Sequence, residues 1–165
     1  MRQARASSFR LIVLSVFVLF GSGIFGCARQ KSSNDATGAR PPLTQELFEQ
    51  GRLIYQRQCA VCHGENGAGD GKAAYLLFPK PRNFTTNEFR LVSSTTMLPT
   101  DEDLFSVITR GMPGSAMPSW EELGERERWA VVAYVRYLSH SPSAREEMQT
   151  WEDIQPLLED PVSSS

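Results

Sequence analysis

At 165 residues, the chain has room for one domain with appendages and none for a large enzyme scaffold. Its 41% hydrophobic and 22% charged residues are ordinary for a globular protein. With 17 basic against 19 acidic residues and a net charge of −2, no nucleic-acid partner is expected.

The chain opens with Arg2, Arg5 and Arg10 ahead of an apolar run from Leu11 to Phe20. That is a basic n-region followed by an h-region short of a membrane span of ~20 residues. The run closes on Gly21-Ser-Gly-Ile-Phe-Gly-Cys27, which resembles a bacterial lipoprotein cleavage box. It implies a signal peptide over residues 1–26, lipidation of Cys27 and an exported domain held at a membrane facing the periplasm. An uncleaved anchor helix over residues 11–28 is the competing reading, and it too exports and tethers the domain. Removal of the three arginines leaves 14 basic against 19 acidic residues, a net of −5.

Residues 27–42 are polar and turn-rich with no apolar period, as expected of a linker after the cysteine. The fifteen residues from Ala28 to Pro42 reach ~50 Å when extended and average ~20 Å as a coil. Thr44 then caps a helix with Glu46 in its first turn, and Leu47, Gly51, Ile54, Tyr55 and Gln58 share one face. Gly51 is read as a point where another helix crosses closely, with Tyr134 of the last helix laid over it.

That face runs into Cys59-Ala-Val-Cys62-His63. Two cysteines with two residues between them and a histidine next form the attachment pattern of a c-type haem, in which both thiols bond the porphyrin and the histidine ligates iron. A redox Cys-x-x-Cys would need a βαβ setting, and no strand-helix-strand pattern surrounds it. A zinc site would need a second ligand pair, and the other histidine, His140, is far along the chain.

Four glycines fall between Gly64 and Gly71. The stretch lacks the Lys-Ser/Thr of a phosphate-binding loop, and reads instead as a chain reversal beneath the haem edge, using glycine for positive φ and close approach. Residues 72–78 suit a short helix ended by Pro79-Lys80-Pro81. Residues 82–99 are irregular and expected to wrap the haem edge. Thr100 caps the next helix, with Asp101, Glu102 and Asp103 at its positive end, a stripe of Leu104, Phe105, Val107 and Ile108, and Gly111 as its stop.

The segment Gly111-Met-Pro-Gly-Ser-Ala-Met117-Pro-Ser-Trp120 is the second site of chemistry. A histidine-ligated haem that carries electrons without binding small molecules needs a sixth ligand, and a methionine thioether raises its potential. Met117 is favoured because a Gly-Ser-Ala turn can swing it inward; Met112 is the alternative and Met97 a third. Gap-filling in the core is what these methionines would do otherwise. The last helix starts after Gly124 and runs to Leu138, apolar on three sides. His140 reads as an exposed helix-end residue. Beyond it, residues 144–158 suggest an amphipathic helix with Trp151, Ile154 and Leu158 on one side and Pro156 interrupting it, ahead of a disordered end.

With these residues in order, 43–139 resembles the class I c-type cytochromes: the Gly51 and Tyr55 helix, the Cys59-Cys62-His63 site, the glycine-rich loop, Met117-Pro118 and the Val-Val-Ala-Tyr-Val helix. The resemblance implies an all-α, cytochrome c-like domain wrapped around one covalently bound haem, with residues 140–165 as a tail. It also implies that a carbonyl near Pro79 or Pro81 accepts the proton of the proximal histidine. The Thr100-Asp-Glu-Asp-Leu104 and 111–120 segments are similar to monohaem subunits of bacterial respiratory complexes, including the membrane-anchored subunit of alternative complex III.

The expected function is electron transfer rather than catalysis of a bond change. Iron would cycle between ferric and ferrous, held by His63 and Met117, inside an apolar shell of Leu76, Phe78, Phe84 and Trp120. Redox proteins are the expected partners, with Lys72, Lys80, Arg82, Arg90 and Arg110 available to frame a docking face. Two rivals stand beside it: a haem subunit permanently docked in a complex, and a five-coordinate haem acting as a gas sensor or a peroxidase-type enzyme.

Overall fold

The computed structural model describes residues 40–86, 89, 93–94 and 98–158. The apolar run of residues 11–20, Cys27, Arg90, Met97 and the final five residues lie outside them. Among the described residues there are helices and no strands, so the all-α expectation holds. No helix among them is long and apolar enough to cross a membrane.

Helix α1 spans Gln45–Ile54, with the Thr44 hydroxyl accepting from the Leu47 amide at 3.2 Å. At Tyr55–Cys59 the helix widens to a π turn, the Ala60 amide reaching back five residues to the Tyr55 carbonyl. Such a turn inserts a residue into the helical register and commonly marks a functional site; here it delivers Cys59. The short α2, Ala60–His63, follows, then a 3₁₀ turn at Ala74–Leu76 where a longer helix was expected.

Helix α3, Asp101–Arg110, carries a full capping box between Thr100 and Asp103, which satisfies two of its orphan amides at once. Gly111 stops it at φ +67° and ψ −164°, a region open essentially to glycine alone and distinct from the left-handed cap the sequence suggests. Helix α4 is Glu125–Leu138.

The core is the crossing of α1 on α4. A Cβ placed on Gly51 would sit 1.9 Å from the Ala130 carbonyl oxygen, so the backbones approach to a distance that no side chain permits. The partner at this point is Ala130, not Tyr134. A close crossing needs the smallest side chain opposite the glycine, and Tyr134, one turn further on, packs at the flank, its ring 5.6 Å from Phe48 and 5.2 Å from Tyr55. Ring pairs of this kind contribute about 0.5–1.5 kcal/mol each beyond the area they bury.

Beneath this layer lies a charge cluster. Asp101 is fully buried and accepts from Arg136 Nε at 2.6 Å, while Arg136 Nη2 donates to the Pro99 carbonyl at 2.5 Å. Arg40 pairs with the other Asp101 oxygen and lies over the Trp129 ring. The packed unit therefore reaches back to Arg40, into the stretch read as linker.

It also reaches forward past Leu138. In place of one interrupted helix there are two short ones, α5 at Pro142–Glu147 and α6 at Trp151–Ile154, followed by a 3₁₀ turn at Gln155–Leu158. Ser141 and Thr150 each cap a fresh start, and Met148 between them is extended. Leu158 is 1% exposed. His140 is half-buried, its Nε2 bonded to the Leu157 carbonyl at 3.1 Å, so it is a tie between α4 and the tail rather than an exposed helix end.

Candidate haem site

One apolar-walled cavity gathers Cys59, Cys62 and His63 with Met112 and Met117. On its first wall, the π turn and α2 present the two cysteines as free thiols. Burial, with the neighbouring Cys62 adding to it, pushes the Cys59 thiol up to about 12. A thiol-exchange site is served by a thiol that ionises easily, and burial works against that at Cys59. No cluster of three or more His, Cys, Asp or Glu side chains suited to a metal ion occurs among the described residues.

His63 is oriented by long-range contacts. Its Nδ1 lies 3.1 Å from the Arg82 carbonyl and its ring stacks on Phe84 at 4.7 Å and 16°. Burial holds the ring below the usual imidazole range, with the Arg82 carbonyl pulling part of the way back. With Nδ1–H committed to that carbonyl, the neutral ring offers its Nε2 lone pair to a metal.

The acceptor is Arg82, neither Pro79 nor Pro81. The Phe84 amide donates to the Gly67 carbonyl at 2.7 Å, and a Cβ on Gly69 would lie 2.7 Å from the Pro81 carbonyl oxygen. The glycine-rich loop thus runs flush against residues 81–84, and that register sets which carbonyl meets the imidazole.

A second tie is Tyr55, 0% exposed, whose hydroxyl donates to the Gly64 carbonyl at 2.8 Å. It clamps the residue that follows His63. Its aromatic position is visible in the sequence; its hydroxyl's partner is not.

The second wall is residues 111–118. The Met112 amide donates to the Met117 carbonyl at 3.2 Å; Ser115 donates to the Met112 carbonyl through its amide at 3.0 Å and its hydroxyl at 2.8 Å, and accepts from the Met117 amide at 3.2 Å. Gly111 abuts the Met117-Pro118 backbone, where a Cβ would stand 2.7 Å from the Met117 carbonyl oxygen. Both methionines are half-buried.

Of the expected apolar shell, Phe84 and Trp120 line the cavity. Leu76 and Phe78 do not: they are 71% and 93% exposed. The 3₁₀ turn points them outward and gives the cavity Leu77 instead. Of the expected cationic face, Lys80 and Arg82 border the cavity, Lys72 and Arg110 are exposed, and Lys80 Nζ donates to the Ala74 and Tyr75 carbonyls.

A helical shell around a cavity holding two thiols, an imidazole and thioethers has the donor set of a c-type cytochrome domain. Residues 46–135 match the family model described as cytochrome C oxidase, cbb3-type, subunit III. The chain belongs to that family of class I cytochrome c domains, and the family implies a haem c and electron transfer. Among solved structures, a chain of the Kuenenia stuttgartiensis reducing HAO-like protein complex is similar at 41% identity, with a TM-score of 0.52, over 59% of this chain and 45% of that one. The present chain thus spans less than half of that protein's aligned chain.

Proposed function

We propose that this protein is a membrane-tethered monohaem cytochrome c that carries single electrons between redox proteins and itself catalyses no bond change. The observation that carries the reading is the gathering of Cys59, Cys62, His63 and two thioethers in one cavity. The haem, when bound, supplies one-electron exchange between ferric and ferrous iron.

The chain's residues do the rest. Cys59 and Cys62 would hold the porphyrin through their sulfurs. His63 would offer its Nε2 to the iron, its tautomer set by the Arg82 carbonyl and its basicity raised by that bond. Met117 would offer its thioether, a donor that favours the ferrous state. Tyr55, Phe84, Val131 and Val135 exclude water from the inner end. Arg2, Arg5, Arg10, the apolar run and Cys27 support an exported lipoprotein facing the periplasm, with the lipid at Cys27.

A second reading, a haem subunit permanently docked in a larger assembly, is favoured by the similar chain's place in a protein complex.

The test is the mature protein recovered from membranes. Haem that stays with the polypeptide on denaturing electrophoresis, and is released in Cys59→Ala/Cys62→Ala, is expected. Absence of Soret absorption with two titratable thiols would sink the proposal. Solubilisation by Cys27→Ala checks the anchor, and recovery as a free monomer in mild detergent counts against the docked subunit.

A further inference from the structure

Two methionines face one cavity, and the geometry of the segment that carries them gives both a use. Met112 and Met117 stand abreast, joined by the Met112 amide to the Met117 carbonyl, with Ser115 bridging both backbones. Each is followed by a proline, which biases the residue before it to extended backbone. Both residues line the cavity of Cys59, Cys62 and His63.

Neither methionine belongs to the packed core cluster. Each also has a thioether on an unbranched arm that can reach along an irregular wall. The segment is anchored to α3 at its far end, where the Trp120 amide donates to the Ile108 carbonyl at 3.1 Å and the Ser119 hydroxyl to the Thr109 carbonyl at 2.7 Å. The segment is therefore tied to the last turn of α3.

We propose that Met112 is a reserve axial ligand: with Met117 absent, the Met112 sulfur takes the sixth position, so the haem does not open to exogenous ligands. This rests on the proposed haem function and adds a second sulfur to its iron site. An internal ligand that occupies the position most of the time lowers the apparent affinity of an external one by the fraction of time the position is open.

The experiment compares wild type, Met117→Ala and Met112→Leu/Met117→Ala as haem-loaded full chains, with far-ultraviolet circular dichroism as the check on folding. Met117→Ala is expected to keep a weakened, shifted long-wavelength thioether-to-iron band in the ferric state. Reduced, it is expected to bind carbon monoxide about tenfold or more weakly than the double variant, the factor produced when the position is open a tenth of the time. The double variant is expected to lose the band and bind carbon monoxide freely. If Met117→Ala binds carbon monoxide as tightly as the double variant, the reserve role is wrong. If Met117→Ala is indistinguishable from wild type, Met112 is the resident ligand and the assignment is overturned. A wild type without the band removes thioether ligation itself, and with it the finer part of the proposed function.

Discussion

The two walls of the cavity are held in place by different means. The histidine wall adds to its local turns a set of ties from further along the chain: Tyr55 to Gly64, Arg82 to His63, and Phe84 to both Gly67 and the imidazole face. The methionine wall is closed by bonds within six residues and hangs from α3. The first arrangement fixes one nitrogen in one tautomer. The second keeps two sulfurs within the same compact loop and leaves their relative use to local geometry. Under the proposed function, a fixed imidazole on one side and two thioethers in one loop on the other would let the site keep its donors through repeated changes of charge.

The largest expected effect comes from cutting the support of α3. Asp101→Ala takes the carboxylate from the buried Arg136 and leaves it the Pro99 carbonyl, and breaking a buried pair from one side costs about 3–5 kcal/mol. A urea midpoint should drop accordingly, and a loss below about 1 kcal/mol would mean the pair adds little to the methionine wall. Next is Tyr55→Phe, which leaves the Gly64 carbonyl without its phenol donor at a cost of about 1–3 kcal/mol. It should also broaden the imidazole resonances of His63 without touching the thioether band. An equal disturbance of both walls would contradict their independence.

Ser115→Ala acts on the other wall only. Removing its bonds to Met112 and Met117 should cost about 0.5–1.5 kcal/mol, and the change should appear in the thioether band rather than at His63. The smallest effect is set by acid. Burial works to raise the Asp103 carboxyl, but hydrogen bonds from Ser93 and Thr100 outweigh it and hold the group below its ordinary 3.8. A carboxyl depressed in the fold lends stability above its ordinary value and loses it as pH falls through the folded one. The α3 cap should thus weaken below pH 3.8, and Asp103→Asn should flatten that part of the stability curve.

Much of this was legible from residue order alone. The haem pattern, the Thr100 cap, the Gly111 stop and the Gly51 crossing are local signals, each set by a few neighbouring residues. What escaped were the partners chosen by register. Nothing in Pro79-Lys-Pro-Arg82 says which carbonyl faces the imidazole, because the glycine-rich loop decides it by lying against residues 81–84. Leu76 and Phe78 read as interior on hydrophobicity, yet a 3₁₀ turn in place of a helix puts Leu77 inward. Asp101 looked like a charge for a helix end, and only the fold brings Arg136 from 35 residues away to meet it.

The tail carries a consequence for how the molecule comes into being. Leu158 is sealed against the back of α4, and Leu157 accepts from His140. A nascent chain emerging in order cannot finish that side of the helical shell until Leu158 has left the exit channel. A reporter spliced in after Ser139 would therefore occupy the seat of the last turn, whereas one added beyond the final serine would leave that seat free.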